Sequence, residues 1–518
     1  MSDEVNRLRL EVEELRVRLA QEQGGGSGYY DSPLVKKDWF NLRRIPEVGL
    51  NRDAVKLMVE NAHALDFDQR LNTSSYVNVT LHEEEEAIAL MGLRVNLADQ
   101  TVYPQSYRLH DTTVNMIADL WHCPKGPDFD DYGVFAGAGT VGSTEACLLA
   151  GLALKFRWRN WYAKRHGKTA GEIPGRRPNL VISTCFQAAW EKLFKYMDIE
   201  PRLVHPSVGS FALDPEAVRE AIDERTMGVV CIMGNHYGGH YDPVAAVSDV
   251  IDQVNAERGF QVGIHVDAAS GGFIAPFQDE VAPWDFRVAN VLSISASGHK
   301  FGESICGTGW IVWRQRHDLS EHVAISVNYL GGMAESYTLN FSRPATGVYA
   351  QYYKLLHYGV SGYRQCCENM MENARYLRHG LQAMTLAGKP RFELLDHGDG
   401  GCLPVVTARL NPDCQTGYSD IDLQHVLSQH HWYVGSYRMQ FDHPLTGEKL
   451  PLFGDADADS SMFRIVVKSN LTRGMAGHLL ESIRETLEFL DAVAAKGSLE
   501  FETHWLRHKD QRRFTNHC

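Results

Sequence analysis

The sequence lacks an apolar run of the roughly 18 to 20 residues that crossing a bilayer requires, and its first residues lack the apolar core of a secretory signal. It also lacks a surplus of positive charge. The formal net charge of the 518 residues is −14, which argues against general affinity for nucleic acids or membrane surfaces. We therefore expect a cytoplasmic protein with no nucleic-acid and no membrane partner.

The ten cysteines lack C-x-x-C and zinc-ligand spacings, so we expect reduced thiols and no metal site. The length is sufficient for two domains or for one large α/β body with additions. A single small module is excluded.

Residues 1–28 are predicted to form a short coiled-coil-like helix followed by a glycine linker. Apolar residues alternate at spacings of three and four, at Val5, Leu8, Val12, Leu15 and Leu19. Two heptads are too short to be stable alone, and GGGSG at 24–28 ends the pattern. The segment is either an assembly helix that supports an oligomer or a solvated tail.

Short β-branched runs alternate with helical patterns along the middle of the chain. The runs are 133–139, 179–185, 228–234, 262–268 and 291–297. This alternation predicts parallel βαβ units in a sheet covered on both faces, with ligand chemistry at the carboxyl ends of the strands. The helical stretch 356–387 and the runs 402–410 and 461–467 predict a smaller α+β domain after it.

Polar side chains follow several of these strands. Asp267 ends the fourth run, Lys300 follows the fifth, and Ser143 and Thr144 open the helix after the first. A lysine that forms a Schiff base, a carboxylate for the ring nitrogen and a helix N-terminus with hydroxyls are what pyridoxal 5′-phosphate requires. Each has an ordinary alternative as a cap, turn or solvated residue. Their joint occurrence on successive βα units favours one cofactor site.

Residues 137–142 also match the G-x-G-x-x-G pattern of dinucleotide-binding folds. That fingerprint expects an acidic residue about 20 positions on, at the end of the next strand. The next run lies farther along the chain and ends in Thr184 and Cys185. The pattern therefore argues only weakly for a nicotinamide cofactor.

Long blocks of the sequence resemble glutamate decarboxylases, which are group II pyridoxal-phosphate-dependent decarboxylases. The blocks include HVDAASGGFIAPF at 265–277, SISASGHKFG at 293–302 and NFSRPA at 340–345. The resemblance implies an α/β fold of the PLP-dependent transferase fold type I (aspartate aminotransferase-like). We expect a mostly parallel, seven-stranded sheet in the large domain and a smaller C-terminal α+β domain.

The resemblance also implies a domain organisation. Residues 29–110 are expected to contribute to the dimer and to the substrate pocket, 111–355 to form the large cofactor-binding domain and 356–500 to form the small domain. The minimal active unit would be a homodimer, and the assembly a dimer or a hexamer.

Carried over position by position, the resemblance assigns the cofactor residues. They are Ser143, Thr144, Gln187, Asp267, Ala269, Ser297, His299, Lys300 and Ser342. Ser342 is expected to reach the phosphate of the neighbouring subunit. The catalytic residues implied are Lys300, Asp267, His299 and Tyr329. For returning a proton to the substrate Cα, Lys300 is the first candidate and Tyr329 the second.

For the substrate, Arg464 resembles the arginine that binds the α-carboxylate. Ser75, Tyr76 and Asp99 align with residues that recognise the distal carboxylate. A carboxylate beside Asp99 would share a proton with it, so activity is expected to favour mildly acidic pH. The implied reaction converts L-glutamate to 4-aminobutanoate (GABA) and CO₂ through a Schiff base and a quinonoid intermediate.

Two departures from the family pattern leave alternatives open. Residues 235–239 read NHYGG where the family has a Thr-x-Thr-Gly turn, and Glu303 and Ser304 replace an apolar pair. Decarboxylation of another acidic amino acid, aspartate or cysteine sulfinate, is one alternative. A catalytically inactive, cofactor-binding oligomeric scaffold is the other.

The basic tail 501–518 contains Trp505 and Phe514, whose spacing suits a helix anchored in the groove of a calcium sensor. Plant glutamate decarboxylases end similarly and bind calmodulin there. The alternatives are that the tail docks on the acidic body or that His517 closes the site.

Overall fold

The computed structural model describes residue 12 and residues 43–126, 133–169, 177–206, 210–279, 281–319, 323, 325–327, 334–396, 398, 401–454 and 460–496. The chain forms two compact units, residues 1–68 and 69–518. In the first, Arg52–His63 form helix α1, and the Asn51 side chain caps it by accepting from the Asp53 amide at 2.8 Å. Apart from Val12, the predicted coiled coil and linker lie outside the described residues.

The second unit contains a seven-stranded sheet. Its strands are β1 (Gly137–Val141), β2 (Asn179–Ser183), β3 (Glu200–Val204), β4 (Thr226–Ile232), β5 (Ile264–Asp267), β6 (Val291–Ala296) and β7 (Thr308–Trp313). Their spatial order is β1-β7-β6-β5-β4-β2-β3. Strand β7 pairs antiparallel with β1 and β6, and the other pairs are parallel. The prediction of an α/β fold with a mostly parallel sheet of seven strands is confirmed.

Apolar clusters lie on both faces of this sheet. The helices of this region are α2 (Glu83–Gly92), α3 (Pro104–Leu120), α4 (Gly142–Arg165), α5 (Ala188–Met197), α6 (Pro215–Ala221), α7 (Val244–Arg258) and α8 (Arg316–Leu319). Because successive strand residues point to opposite faces, Val229 belongs to the same cluster as Val247 of α7, whereas Val230 belongs to another with Trp190 of α5. Burial on both faces explains why these strands are continuous apolar runs.

The first predicted strand lies too early in the chain. The run 133–139 is predicted as a strand, but β1 spans Gly137–Val141. The Phe135 amide donates instead to Asn115 Oδ1 at 3.0 Å, so this stretch is anchored to helix α3 rather than to the sheet. Strand β3 has no counterpart in the prediction, because it is a partly exposed edge strand without a continuous apolar run.

A smaller α+β arrangement follows the large sheet, as predicted. Its antiparallel sheet has the order β12-β13-β17-β14, with strands β12 (Phe392–Leu394), β13 (Val405–Leu410), β14 (Gly435–Arg438) and β17 (Ser461–Val466). Its helices are α10 (Asp420–Leu427) and α11 (Arg473–Ala494), and the long helix α9 (Thr346–Gln382) precedes it. Two-stranded ribbons pair β8 (Ile325–Val327) with β9 (Ala334–Ser336), β10 (Thr385–Leu386) with β11 (Lys389–Pro390), and β15 (Gln440–Asp442) with β16 (Lys449–Pro451).

Helix α9 is broken at Gly359, whose φ of 55° lies in the left-handed region that glycine tolerates. Among the described helices, none combines the length and the apolar character needed to span a membrane. The domain boundaries at residues 110, 355 and 500 stay predictions.

A buried ion pair joins α2 to α9. Lys354 Nζ lies 3.0 Å from Glu85 Oε2, and both side chains are 0% exposed. Burial raises the pKa of Glu85, and the Lys354 charge opposes that rise. The charges of both residues also act on Glu303, a buried carboxyl of the turn after β6 whose pKa burial raises to about 7. Glu303 Oε2 accepts from Ser469 Oγ at 2.7 Å, so this network ties the turn to the end of β17.

Candidate active site

Three strand ends bring the predicted cofactor residues to one edge of the sheet. Strand β5 ends at Asp267, β6 ends shortly before Lys300, and β1 ends at Val141, directly before helix α4. Strands β5 and β6 are parallel, and β1 runs in their direction because both it and β6 are antiparallel to β7. The carboxyl ends of these strands therefore lie together, where α/β sheets bind their ligands.

The turn that carries Lys300 is held by backbone hydrogen bonds. The Lys300 amide donates to the Ser297 carbonyl at 3.2 Å, and the Ser304 amide donates to the Gly298 carbonyl at 3.0 Å. Gly298 is required by packing, since a Cβ there would lie 2.1 Å from Gln351 Oε1. The small residues before Lys300 thus reflect a close approach to helix α9.

The Lys300 amine lies in a pocket at this edge. Its Nζ donates to Ser270 Oγ at 3.4 Å and lies 5.5 Å from the centre of the Tyr76 ring. Burial and the Arg464 charge lower the pKa of Lys300, while the Asp267 charge opposes them. A lowered pKa increases the fraction of free amine, which is the form that attacks a carbonyl carbon.

Asp267 is held in a fixed orientation and is 1% exposed. Its Oδ2 accepts from Trp190 Nε1 at 2.7 Å, and its Oδ1 accepts from the Ala269 amide at 3.0 Å. The two hydrogen bonds fix both carboxylate oxygens at the end of β5. Sequence reasoning missed Trp190, because a tryptophan in an amphipathic helix ordinarily indicates core packing.

The start of helix α4 and the turn after β6 form an anion cradle. Ser143 is buried and Thr144 is half-buried in the first turn of α4, where helix geometry leaves backbone N–H groups without partners inside the helix. The Ser297 hydroxyl is buried and has no hydrogen-bond partner within the described part of the chain. Gly142 has a φ of +68°, and a Cβ there would lie 3.5 Å from His299 Cε1, so the imidazole stands against this helix start.

His299 is fixed as a neutral ring. Its Nδ1 donates to the Thr308 carbonyl at 2.7 Å, because a carbonyl oxygen only accepts. Burial and the Lys300 charge lower the pKa of His299 to about 4. The imidazole therefore acts as an uncharged packing surface and a hydrogen-bond donor rather than as a cation.

These residues fit pyridoxal 5′-phosphate. The orphaned Ser297 hydroxyl and the first turn of α4 suit a phosphate, Asp267 suits a protonated ring nitrogen, and the Lys300 amine suits the aldehyde carbon.

A second group of unpaired donors lines the pocket beyond Lys300. Arg464 of β17 is 5% exposed and donates one hydrogen bond, from Nη2 to the Ser74 carbonyl at 2.6 Å. Its guanidinium lies 4.7 Å from the Tyr76 ring and 5.7 Å from the Tyr437 ring. Arg464 Nε, Arg464 Nη1 and both tyrosine hydroxyls are buried without partners among the described residues. Such a cluster is satisfied by an anionic ligand.

Three other predicted residues, Ser75, Gln187 and Ala269, take part in the local structure around the site. Ser75 Oγ accepts from the Val77 amide at 3.2 Å and so shapes the local turn. Gln187 is half-buried at the N-cap of α5, with no hydrogen bond from its side chain to that helix end. Ala269 is buried and supports Asp267 through its amide.

Asp99 and Ser342 are not brought into contact with Lys300 or Arg464 in the described chain. Asp99 Oδ1 accepts from the Val102 amide at 3.2 Å, and the exposed Ser342 hydroxyl accepts from Asn96 Nδ2 at 3.4 Å. Both therefore lie in one region around the turn that starts at Asn96. Tyr329 lies outside the described residues.

Three residues near the site were not among the predicted site residues: Trp190, which donates to Asp267, Tyr437, whose ring lies 5.7 Å from the Arg464 guanidinium, and His236, on which the Arg464 and Lys300 charges act. Tyr437 had no signal in the sequence, because its place beside Arg464 follows from the antiparallel pairing of β14 with β17. His236 was noted only as part of the unusual turn 235–239.

Comparison with known proteins agrees with this geometry. Residues 55–402 match the family described as the pyridoxal-dependent decarboxylase conserved domain. The chain is 34% identical to glutamate decarboxylase 5 of Arabidopsis thaliana over 454 residues, which is 88% of this chain and 85% of that protein. It is 38% identical to glutamate decarboxylase beta of Listeria monocytogenes over 402 residues, or 76% of this chain and 82% of that one.

Among solved structures, a glutamate decarboxylase of Lactobacillus brevis is similar to the chain. The TM-score is 0.79 at 32% identity, covering 89% of this chain and 98% of that one. The matched family region contains Lys300, Asp267 and the start of helix α4. The chain belongs to the pyridoxal-dependent decarboxylase family.

Proposed function

We propose that the chain decarboxylates L-glutamate at C1 and yields 4-aminobutanoate and CO₂ with pyridoxal phosphate as cofactor. The observation that carries this proposal is the buried Arg464 next to the Lys300 pocket, whose Nε and Nη1 find no partner among the residues that the structure describes. A buried guanidinium of this kind requires an anion. The similarity to glutamate decarboxylases of plants and Listeria over most of the chain supports the choice of substrate.

The chemistry of each site residue suits it to a different role in this reaction. When bound, pyridoxal phosphate supplies an electron sink for the bond that breaks at the substrate α-carbon. Arg464 would hold the α-carboxylate and so orient that bond, and Asp267 would hold a proton on the ring nitrogen. Lys300 would return a proton from Nζ to the α-carbon after CO₂ has left. The apolar rings of Tyr76 and Tyr437 would keep water from the reacting carbon.

The substrate is tested by comparing kcat/KM for glutamate, aspartate and cysteine sulfinate. We expect kcat/KM for glutamate to exceed that for aspartate by at least about tenfold. Aspartate is one methylene shorter, so its distal carboxylate cannot reach the contacts that the glutamate carboxylate makes. The purified protein should be yellow and release CO₂ from glutamate. If kcat/KM is higher for aspartate or cysteine sulfinate, that acid and not glutamate is the substrate. A yellow protein that releases CO₂ from none of the three acids would favour the inactive scaffold.

We propose a homodimer as the minimal active unit. Asp99 and Ser342 are predicted site residues, yet they contact neither Lys300 nor Arg464 within the described chain, which supports their acting on a neighbouring subunit. Sizing the protein in solution tests this proposal.

We also propose that residues 501–518, which lie outside the described residues, bind calmodulin. A calmodulin pull-down with and without calcium, on intact and 1–500 chains, tests this second proposal. Retention of the truncated chain by calmodulin would contradict it.

A further inference from the structure

The turn that carries Lys300 is bound to a separate stretch of chain, residues 73–80, through Asn78. The Asn78 amide donates to the His299 carbonyl at 2.7 Å, and its side-chain Nδ2 donates to the Glu303 carbonyl at 2.7 Å. These two acceptors lie on either side of Lys300 in the chain. Asn78 is 8% exposed, so both hydrogen bonds are shielded from water. One residue therefore fixes the backbone before and after the lysine.

The backbone at Glu303 has a conformation that needs such support. Its φ of 59° lies in the left-handed region, which residues other than glycine seldom adopt. Backbone of this kind persists where the surrounding structure holds it from several sides. The Glu303 side chain accepts from Ser469 Oγ at 2.7 Å, and the Glu303 amide donates to the Lys300 carbonyl at 3.2 Å. The turn is thus held from within, from residues 73–80 and from the end of β17.

The stretch 73–80 also carries Tyr76 and is bound to β17. The Arg464 guanidinium donates to the Ser74 carbonyl at 2.6 Å. The Tyr76 ring lies 4.7 Å from that guanidinium and 5.5 Å from Lys300 Nζ. Residues 73–80 therefore connect the arginine proposed to bind the substrate with the lysine expected to bind the cofactor.

We propose that Asn78 and Glu303 are positioning residues, which fix the Lys300 amine in the place relative to Arg464 that the reaction needs. The inference rests on the proposed function, because Lys300 and Arg464 have their roles in that reaction. An apolar residue, which the family pattern has at position 303, could not accept from Ser469. The hydrogen bond from the turn to the end of β17 is therefore a feature of this chain rather than of the family pattern.

The variant Asn78→Ala removes the Nδ2 donor but keeps the backbone amide that donates to the His299 carbonyl. It should lower kcat for glutamate by about tenfold or more, because small displacements of reacting groups cost large factors in rate. KM should change by less than about threefold, because the hydrogen bond from Arg464 to Ser74 does not involve Asn78. The absorbance of the bound cofactor, followed against pH without substrate, should also change, because it depends on the nitrogen that Lys300 supplies.

Asn255→Ala is the matched control. Asn255 is a half-buried residue of helix α7, whose Nδ2 donates to the Val262 carbonyl at 2.9 Å and whose Oδ1 accepts from the Val262 amide at 3.0 Å. Asn78 likewise uses both side-chain atoms, because its Oδ1 accepts from the Thr80 amide at 2.9 Å. Both variants should therefore lose stability in denaturant unfolding, but Asn255→Ala should keep the kcat and the cofactor absorbance of the wild type.

Two further variants test the hydrogen bond between Glu303 and Ser469. Ser469→Ala removes the donor with almost no change in volume and should lower kcat by about threefold or more. Glu303→Gln keeps an acceptor oxygen for Ser469 and should retain most of the activity, whereas Glu303→Leu has no acceptor and should lose it.

Two results would overturn the inference while the proposed function stands. One is a folded Asn78→Ala enzyme whose kcat and cofactor absorbance match those of Asn255→Ala. The other is a Ser469→Ala enzyme with unchanged kcat, which decides the matter even if Asn78→Ala does not fold. A yellow wild type that releases no CO₂ from glutamate would overturn the proposed function and the inference with it.

Discussion

Lys300→Ala should lower kcat for decarboxylation by roughly a thousandfold or more while leaving the fold and the assembly intact. The substitution removes the amine that holds the cofactor and that we expect to protonate the product. Among the described residues the amine donates one hydrogen bond, of 3.4 Å to Ser270 Oγ, and lies 5.5 Å from the Tyr76 ring, so its loss disturbs little packing. Turnover should be measured as CO₂ released from glutamate, and assembly by sizing in solution.

Lys192→Ala provides the matched control, since Lys192 is an exposed lysine of helix α5. Its activity should equal that of the wild type. Borohydride treatment adds a second observation, because it should fix the cofactor on the tryptic peptide 288–314 of the wild type and of the control but not of Lys300→Ala. Undiminished turnover in Lys300→Ala would remove the proposed mechanism.

The residues at the sheet edge could be predicted because parallel strands constrain them. Asp267, Lys300 and the start of helix α4 all follow apolar runs, and parallel pairing brings such strand ends together without knowledge of any side-chain contact. The first turn of α4 could likewise be placed from its small hydroxyl residues. The resemblance to the family added Arg464, which the structure brings to the Lys300 pocket.

What could not be predicted depends on contacts between distant parts of the chain. Trp190 reaches Asp267 because α5 packs on one face of the large sheet, and Tyr437 lies beside Arg464 because β14 pairs with β17. The Glu303 carboxyl accepts a hydrogen bond from the Ser469 hydroxyl, which joins the turn after β6 of the large sheet to the residues after β17 of the small sheet. A sequence pattern reports local periodicity, whereas these contacts are set by how separate elements pack, which no local pattern encodes.

Lys354→Met should destabilise the protein by about 3 to 5 kcal/mol near pH 8, because removing one partner of a buried ion pair leaves an uncompensated buried charge. Glu85 would then be a fully buried carboxylate without its counter-ion. Denaturant unfolding of the holoenzyme measures the loss. The control is Lys56→Met, since Lys56 pairs with Glu60 at 3.5 Å on the exposed helix α1, and such pairs contribute about 0 to 1 kcal/mol.

The pH dependence of this loss has a definite sign. Burial already raises the pKa of Glu85, and the Lys354 charge is the largest effect that opposes the rise, so the pKa of Glu85 should rise further in Lys354→Met. A carboxyl whose folded pKa exceeds its unfolded pKa stabilises the fold at low pH and loses that contribution as pH rises through the folded pKa. The destabilisation should therefore shrink as the pH is lowered from 8 toward 5 and grow as the pH is raised again.

The double variant Glu85→Leu with Lys354→Met separates charge from packing. Replacing both partners by apolar side chains of similar size removes the uncompensated charge, so most of the stability lost in Lys354→Met should return, without the pH dependence. If the double variant were as unstable as Lys354→Met, the ion pair would owe its effect to shape rather than to charge. The same variants probe Glu303, because both charges act on it. Loss of activity in a stable double variant would indicate that this buried network also positions the turn that carries Lys300.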